Sequence, residues 1–514
     1  MSKTIIIIGA GLAGLSATLQ AAENGCNVKL VSSLPSERAQ SVMAEGGINA
    51  ALNTKDENDS PEEHFTDTIK AACGLADPNA VWGMTQAAPE LVHWLLKLGV
   101  KFNMSGHDDV DLRNFGGQKK KRTAFAQSDT GKQIMTAMID AVRRKEASGM
   151  VERFSHHSFL TLRLCGNICC GCVIRDEYSQ ETVELPRDAV IVATGGMHGL
   201  FGNTTGSLSN TGEVTAELFR LGVPLANGEM IQYHPTTVKC GGKRMLISEA
   251  ARGEGGRLFA TKDGKRWYFM EEKYPELGNL MPRDITAREI WKVSHESEVF
   301  LDMTEISEEI ISNKLSGLAD DCMTYLHKDI RKEPVSVLPG IHYFMGGILV
   351  DEQHRTPIQN LCAAGECCAQ YHGANRLGGN SLLGALYGGR VAAKSACEQA
   401  DVVDLSCATQ IDFPPASQIS EIKQLNKVMQ ETMGVVRNEN TLLNGIQTVQ
   451  ALTGNLPLLG MAVLKSALAR KESRGAHWRE DYPKSNDDDY LKTTVARFDG
   501  KQIQISFVPV PERR

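Results

Sequence analysis

The chain has 514 residues, of which 42% are hydrophobic and 23% are charged, and its formal net charge is −7. This length is too great for one simple core and predicts two or three domains. The mild acidity argues against nucleic acid as a partner, because phosphate binding requires a basic surface. The basic run at 119–122 is short and predicts a solvated or locally paired loop.

The sequence also bears on cellular location. No apolar run approaches the roughly 20 residues that a membrane span requires. The early run Ile5–Ile8 leads directly into Gly-Ala-Gly, without the basic leader or the cleavage site of a signal peptide. These features predict a cytoplasmic protein.

Four of the 13 cysteines cluster between positions 165 and 172. Cys169 and Cys172 have the C-x-x-C spacing of a metal site, but no second pair lies at a matching distance. The apolar, alternating flanks of the cluster instead predict a β-hairpin. We therefore expect no metal centre here.

The N-terminus has the order of a dinucleotide-binding fold. The apolar run Thr4–Ile8 leads into the glycine turn Gly9–Gly14, and a segment of helical composition follows. Such a turn lets backbone N–H groups reach a pyrophosphate at the helix N-terminus. The second predicted strand, Val28–Val31, ends on Ser32, where this fold usually carries an acidic residue for the ribose hydroxyls. A serine can accept that hydrogen bond, but the departure disfavours a plain NAD site.

The remaining elements follow in chain order. Acidic caps and apolar spacing predict helices within 60–98 and 130–144, and 151–185 is rich in strands. Two further strands lead into glycine turns, at 187–196 and 361–366, and a glycine-dense helix follows Arg376. Helical spacing returns near the C-terminus, at 419–433, 439–452 and 458–472.

Between 224 and 339 the composition becomes charged and aromatic, which predicts a second domain inserted into the nucleotide fold. It contains the run 247–256, where Ser248, Glu249 and Arg252 stand among small residues. The planar guanidinium of Arg252 matches a carboxylate. His234 precedes this run and Arg283 follows it. These residues predict a site for a small dianion, although a solvated loop with a local ion pair is the alternative.

With these motifs, the chain resembles the flavoprotein subunits of succinate dehydrogenase and fumarate reductase, a family to which L-aspartate oxidase is related. The resemblance covers nearly the whole chain. Its motifs include GAGLAG at Gly9, AEGGINAAL at Ala44, FGG at Phe115, ATGG at Ala193, QYHPT at Gln232, SEAARGEGG at Ser248, MPRDI at Met281, HYFMGG at His342, AAGEC at Ala363, HGANRLGGNSLL at His372 and RKESRGAH at Arg470.

The resemblance implies an α/β fold. A Rossmann-like FAD-binding domain at 1–223 and 340–410 is interrupted by an α+β capping domain at 224–339, and a C-terminal helical domain follows at 411–514. FAD would lie extended across the first domain, beneath the cap. The FAD contacts implied by the resemblance are Gly9, Ala10, Gly11, Gly14, Ser32, Ser41, Gly46, Gly47, Ala193, Thr194, Gly195, Glu366, Ser381 and Leu382.

The resemblance also implies roles in catalysis. Arg283 would give the substrate a proton, and Arg252 and Glu249 would replace it from solvent. An arginine that only orients the substrate is the alternative, because its ordinary pKa lies above about 12. The implied catalytic residues are Arg283, Arg252, Glu249 and His234. The implied substrate-binding residues are His234, Ser248, His342, Arg376 and Phe115, with structural histidines as the alternative for His234 and His342.

One departure concerns the cofactor. Family members with covalent FAD carry a histidine directly before the residue that Ser41 occupies, and this chain has Gln40 there. The resemblance therefore predicts noncovalent FAD. In that family the covalent link raises the flavin potential and favours succinate oxidation, so the resemblance implies either fumarate reduction or a relative that uses another electron acceptor.

Two alternatives to fumarate/succinate chemistry remain open at this point. L-aspartate oxidase has a similar length and also binds FAD noncovalently, but it typically carries an acidic residue where this chain has Phe115. A non-catalytic flavoprotein is the other alternative. If the chain acts on fumarate and succinate, the resemblance implies an iron–sulfur partner subunit. Through that subunit it implies a membrane anchor at the cytoplasmic face of the inner membrane.

Overall fold

A five-stranded parallel sheet forms the centre of the FAD-binding domain in the computed structural model, which describes residues 3–106, 109–399, 413 and 418–514. The two edge strands of this sheet come from segments far along the chain from the first two strands, because the chain leaves the sheet and later returns to it. The strand order is Leu361–Ala363, Ala189–Val192, Thr4–Ile8, Asn27–Ser32 and Val151–Ser155. Continuous apolar runs such as Ile5–Ile8 suit this position, since a parallel sheet is covered on both faces.

Helices cover this sheet as the sequence predicts. Leu12–Glu23 packs on Asn380–Gln399, and the Ser16 hydroxyl donates to the Leu386 carbonyl at 2.6 Å. A Cβ atom on Gly389 would lie 2.3 Å from the Ala13 carbonyl oxygen, so these helices meet closely only because this residue is glycine. The other helices of this domain are Pro61–Ala71, Pro78–Leu98, Thr130–Ala147 and Glu213–Arg220.

Smaller sheets surround the central one. The cysteine cluster lies in an antiparallel sheet, which confirms the predicted hairpin. These smaller sheets comprise His157–Cys165, Ile168–Asp176 and Thr182–Pro186; Ile48–Asn49, Thr123–Ala124 and Leu112–Arg113; and the pair Met104–Ser105 and Asp109–Val110.

The basic run is locally paired, as predicted. Lys120 contacts Glu63 at 2.7 Å, and the buried Arg122 contacts Asp59 at 2.8 Å and Asp67 at 2.9 Å. Within the described ranges, no helix has the length and apolar character needed to cross a membrane.

The inserted region has a core of its own, drawn from residues 247–337 together with Phe115. Its strands form a three-stranded sheet of Lys243–Leu246, Ile231–Cys240 and Leu338–Phe344, and a four-stranded sheet of Lys265–Trp267, Arg257–Lys262, Val299–Asp302 and Val335–Ser336. Its helices are Glu249–Gly253, Phe269–Lys273, Arg283–Val293, Glu308–Lys314, Ser316–Asp321 and the wider turn Cys322–Leu326. This region is the α+β cap that the resemblance implies.

The C-terminal region is less purely helical than predicted. Its helices are Ile419–Thr432, Glu439–Val449, Asn455–Ala469 and Asp487–Tyr490. The chain then ends in a hairpin, Lys492–Phe498 with Ile503–Pro509, which the predicted helical domain did not include. This hairpin joins a five-stranded sheet with Leu225–Ala226, Gly347–Leu349 and Cys368–Ala369. The predicted boundary at 410 lies outside the described residues.

Candidate active site

One cavity of about 1010 Å³ lies between the carboxyl ends of the central strands and the cap. Loops that follow the parallel strands form one wall, as expected for a ligand site in an open α/β sheet. The cofactor residues predicted from the sequence that line this cavity are Gly9, Ala10, Gly11, Ser32, Ser41, Gly46, Gly47, Ala193, Thr194, Gly195, Glu366, Ser381 and Leu382.

Gly14 belongs to the same motif but is not among the lining residues. A Cβ atom there would lie 1.8 Å from the Gly9 carbonyl oxygen, so Gly14 lets the first helix pack against the preceding turn. Its role in the structure is packing rather than cavity contact.

The residues present fit an extended dinucleotide such as FAD. Ser32 ends the second strand, and its buried hydroxyl oxygen has no hydrogen-bond partner among the described residues. Gly9 has a φ of +110°, and a Cβ atom on it would lie 2.3 Å from the Ala193 carbonyl oxygen, so this turn requires glycine. The unpaired hydroxyl at the strand end and the bare glycine turn suit a ribose and a pyrophosphate respectively.

The far end of the cavity is rich in groups that donate hydrogen bonds. Arg283 and Glu249 line it together with every predicted substrate-binding residue: His234, Ser248, His342, Arg376 and Phe115. The rings of His234 and His342 are 5.2 Å apart, and the Arg376 guanidinium lies 4.3 Å from the centre of the Tyr343 ring. The structure therefore brings these side chains, distant in sequence, together around one space.

Arg283 begins the helix Arg283–Val293, and three hydrogen bonds hold its side chain. Its Nε and Nη2 both donate to Oε2 of Glu249, at 2.9 and 2.6 Å, and Nη1 donates to Oε1 of Gln232 at 3.0 Å. The Gln232 amide also donates to the Arg376 carbonyl at 2.9 Å. Gln232 thus connects two arginines, a role that the sequence argument missed although the residue lies in the QYHPT motif.

Glu249 is buried between two guanidinium groups. Burial by itself raises the pKa of this carboxyl, but Arg283 and Arg252 together hold it below its ordinary value. The Gly116 N–H also donates to its Oε1 at 3.0 Å. Glu249 therefore stays ionised at neutral pH.

Arg252 lies behind Glu249 and is not among the residues that line the cavity. Its Nη2 is 3.5 Å from Oε1 of Glu249, and its Nη1 donates to the Asn279 carbonyl at 2.6 Å. Burial lowers the pKa of Arg252 from its ordinary value. The order Arg283, Glu249, Arg252 leads away from the cavity and ends at a fully buried guanidinium.

His234 is buried and His342 is partly buried, and both are neutral at neutral pH. Burial, followed by the charge of Arg283, lowers the pKa of each well below its ordinary value. His342 contacts the Thr205 hydroxyl through Nδ1 at 2.8 Å, which fixes the orientation of its ring. Burial and Arg283 also lower the pKa of Arg376 to about 9.

Comparison with known proteins places this site in a family. The sequence model described as "FAD binding domain" matches residues 4–382, and the one described as "Fumarate reductase flavoprotein C-term" matches residues 452–513. The chain belongs to the family of succinate dehydrogenase and fumarate reductase flavoprotein subunits. It is therefore an FAD-dependent oxidoreductase.

Matches to individual family members extend over 99–100% of this chain. The succinate dehydrogenase flavoprotein subunit of Bacillus subtilis is 38% identical over 100% of this chain and 98% of its own length. The 8-methylmenaquinol:fumarate reductase flavoprotein subunit of Wolinella succinogenes is 32% identical over 100% of this chain and 92% of its own. A solved mutant of E. coli quinol fumarate reductase superposes with a TM-score of 0.90 at 27% identity, over 99% of this chain and 97% of that one.

A second residue that the sequence argument missed lies beside the expected FAD contact Glu366. The His198 side chain is fully buried, and its Nε2 is 3.6 Å from Oε1 of Glu366. Its Nδ1 contacts the Thr204 hydroxyl at 3.0 Å, and that oxygen also accepts from the Gly206 N–H at 3.2 Å. The ring is thereby oriented with Nε2 facing Glu366, at a distance longer than a hydrogen bond. No motif could reveal His198, because the contact depends on tertiary structure.

Proposed function

We propose that this family member interconverts fumarate and succinate. The observation that carries the proposal is the shared cavity, in which the predicted dinucleotide-binding turn and a cluster of cationic and neutral donors line the same space. A dianion the size of fumarate needs donors at both ends, and Arg376 and Arg283 supply guanidinium groups suited to carboxylates.

We assign one carboxylate of the substrate to His342 and Arg376 and the other to His234 and the Ser248 hydroxyl. The Nε of Arg376 is buried and has no hydrogen-bond partner among the described residues, so this guanidinium retains a donor for a ligand. Neutral histidines suit this arrangement, because they donate one hydrogen bond without adding further charge beside the arginines.

The chemistry that bound FAD supplies is hydride transfer to one carbon of the double bond. Arg283 gives the proton to the neighbouring carbon. Glu249 contacts both Arg283 and Arg252: after each turnover it accepts a proton from Arg252 and passes it to Arg283, and Arg252 regains a proton from solvent. The depressed pKa of Glu249 keeps it in the charged form that accepts hydrogen bonds from both guanidinium groups.

FAD is held without a covalent bond in this proposal. Gln40 and Ser207 both line the cavity, and the Gln40 side-chain oxygen accepts a hydrogen bond from the Ser207 N–H. A carboxamide cannot form the flavin bond that a histidine makes. Acid precipitation of the purified yellow protein should therefore release the flavin into the supernatant, and flavin that stays with the pellet would contradict this part.

The decisive assay compares two substrates. The protein should oxidise a reduced viologen dye when fumarate is added and should produce no peroxide from L-aspartate. Phe115 supports this outcome, because its buried apolar ring lines the cavity where an aspartate oxidase would place an acidic group for the substrate ammonium. Aspartate-dependent peroxide without fumarate activity would assign the chain to L-aspartate oxidase instead.

We further propose that electrons reach the flavin through an iron–sulfur subunit and a membrane anchor at the cytoplasmic face of the inner membrane. The support is that relatives are named as flavoprotein subunits, and one of them is named for methylmenaquinol. Affinity purification of the tagged chain from detergent-solubilised membranes should recover an iron–sulfur protein. Recovery of the chain alone, with quinol-independent activity, would contradict this part.

A further inference from the structure

Two cysteines far apart in the sequence meet at the ends of two neighbouring helices. Cys26 follows the helix Leu12–Glu23, and Cys397 lies in the last turn of the helix Asn380–Gln399. Their sulfur atoms are 3.0 Å apart although 371 positions separate them. A disulfide bond is about 2.0 Å long, so about 1 Å of movement would join these sulfurs.

We propose that Cys26 and Cys397 form a reversible disulfide that clamps these two helices together and slows the loss of FAD. The cross-link is independent of the reaction catalysed, whereas its effect on FAD rests on the proposed noncovalent binding. Nothing in the proposed fumarate chemistry uses either thiol, because neither residue lines the cavity.

The two helices connect the thiols to the cofactor site. Leu12 and Ala13, in the first turn of one helix, and Ser381 and Leu382, in the first turn of the other, line the cavity. Between these ends and the cysteines, the helices are joined by the hydrogen bond from Ser16. A covalent bond at the far ends therefore limits how far the cavity ends can separate to release a bound flavin.

The chemistry of the bond balances with a peroxide as oxidant. The partly exposed Cys397 thiol reacts with hydrogen peroxide to give a sulfenic acid and one water. The Cys26 thiol then attacks that sulfur, and the hydroxyl leaves with the Cys26 proton as a second water. Two thiols lose two electrons in total, and one peroxide is reduced to two waters. A dithiol such as dithiothreitol reverses the bond by exchange.

Burial sets the rate of this reaction. It raises the pKa of the Cys397 thiol to about 12, so little of the reactive thiolate is present at neutral pH. Oxidation should therefore be slow and should accelerate as the pH rises from 7 to 9. The same burial shields the finished bond from reductants.

Peptide mapping of the oxidised holoenzyme tests the cross-link. After peroxide treatment and digestion without reductant, mass spectrometry should find one linked peptide pair containing Cys26 and Cys397, and dithiothreitol should remove it. Cys26→Ser and Cys397→Ser should each lack the pair. Cys73→Ser, which removes another partly buried thiol, should retain it. Absence of the pair from the wild-type holoenzyme after prolonged peroxide at pH 9 would overturn the assignment.

Flavin fluorescence after dilution tests the clamp. Oxidised wild-type protein should release FAD several-fold more slowly than reduced protein, whereas Cys26→Ser should release it at the same rate with and without peroxide. If oxidised and reduced wild-type protein released FAD at equal rates although the linked peptide was present, the clamp would be overturned. Flavin that stays with acid-precipitated protein would overturn both noncovalent FAD and the clamp, and peptide mapping would still decide the cross-link.

Discussion

Arg283 and Glu249 are joined through a single carboxylate oxygen that accepts from two nitrogens of the guanidinium, at 2.9 and 2.6 Å. The remaining guanidinium nitrogen, Nη1, donates to Gln232. The plane of Arg283 is therefore fixed from two sides before any substrate binds. A fixed donor at the cavity wall is what proton delivery to one particular carbon requires.

Replacement of Arg283 by lysine should abolish fumarate reduction without loss of FAD. An ammonium group cannot reproduce the planar contacts to Glu249 and Gln232 together. Loss of a positioned acid typically costs about 10²–10⁴-fold in rate. We expect a fall in kcat of at least about 10³-fold in the reduced-viologen assay, with the flavin absorbance spectrum unchanged.

Arg288 provides a matched control on the same helix. Its guanidinium lies 4.0 Å from the centre of the Trp478 ring rather than in the cavity. Arg288→Lys should keep kcat near the wild-type value. If Arg283→Lys also kept a near-normal rate, Arg283 would be removed from the proton path and left as a substrate-orienting group at most.

His198→Phe should weaken FAD binding while leaving the fold intact. Phenylalanine preserves the ring contact with Phe344, whose ring centre lies 5.0 Å from that of His198, but removes the nitrogen that faces Glu366. The contact is longer than a hydrogen bond, so its loss should raise the Kd for FAD about two- to fivefold, equivalent to about 0.5–1 kcal/mol. Titration of the apoprotein with FAD measures this change.

A double-mutant cycle separates positioning from general damage. If His198 acts through Glu366, His198→Phe should add little to the loss already caused by Glu366→Gln. His295→Phe, on the exposed surface of the cap, should leave the Kd unchanged. Fully additive losses from the two site substitutions would contradict the proposed contact.

Folding stability should fall steeply as the pH drops below about 6.5, because histidines that are buried and neutral in the folded chain gain protons on unfolding. Burial is the main cause in each case, and it lowers the pKa of His64 to about 3 and of His354 to about 4. The pKa is also lowered well below its ordinary value in four others: His234, His342, His372 and His477.

The lowered pKa values of these histidines determine how folding stability changes with pH. Above about pH 6.5 neither state binds these protons, so the full stability is present. Below it only the unfolded chain is protonated, and each histidine costs up to about 1.4 kcal/mol per pH unit until its folded pKa is reached. Glu45 acts in the opposite direction, because burial raises its pKa to about 8 and the folded state keeps its proton. Burial also raises the pKa of five other carboxyl groups, and together with Glu45 they offset part of the loss: Asp59, Asp67, Glu213, Asp284 and Asp321.

Urea unfolding of the holoenzyme at pH 7.5, 6.5 and 5.5 measures this dependence. The free energy of unfolding should change little between the first two values and fall clearly at the third. His93→Gln alters an exposed histidine and should leave the pH dependence unchanged. A free energy that stays constant down to pH 5.5 would show that these histidines are protonated in the folded chain.

The sequence predicted those elements whose pattern is local. The glycine turn at Gly9 and the buried strand Ala189–Val192 follow from apolar runs and backbone requirements. The final hairpin was missed although Ile503–Pro509 begins with alternating apolar and polar residues, because the whole C-terminal region was expected to be helical. Motifs could nominate Arg283, but its contact with Gln232 depends on how the cap closes, and no local pattern encodes that distance.

The C-terminal hairpin depends on a buried ion pair between Arg470 and Glu229, which lies at the start of the inserted region. Glu229 accepts from Nε of Arg470 at 2.7 Å and from the Thr494 hydroxyl at 2.6 Å, and both members of the ion pair are fully buried. Arg470 also donates to the Lys492 carbonyl at 2.7 Å. One arginine thus ties the end of the helix Asn455–Ala469, the hairpin and the strand region near Glu229 together.

Glu229→Gln should destabilise the protein by about 3 kcal/mol, because removing one charge of a buried pair leaves the other incompletely compensated. Arg470 retains its contact with Glu472 at 2.8 Å, which keeps the cost at the lower end of the usual range. Glu333→Gln breaks the exposed pair with Lys328 and should cost less than about 1 kcal/mol. Urea midpoints of the three proteins at pH 7.5 give both differences, and equal midpoints for the two variants would mean that the buried pair contributes no more than a surface contact.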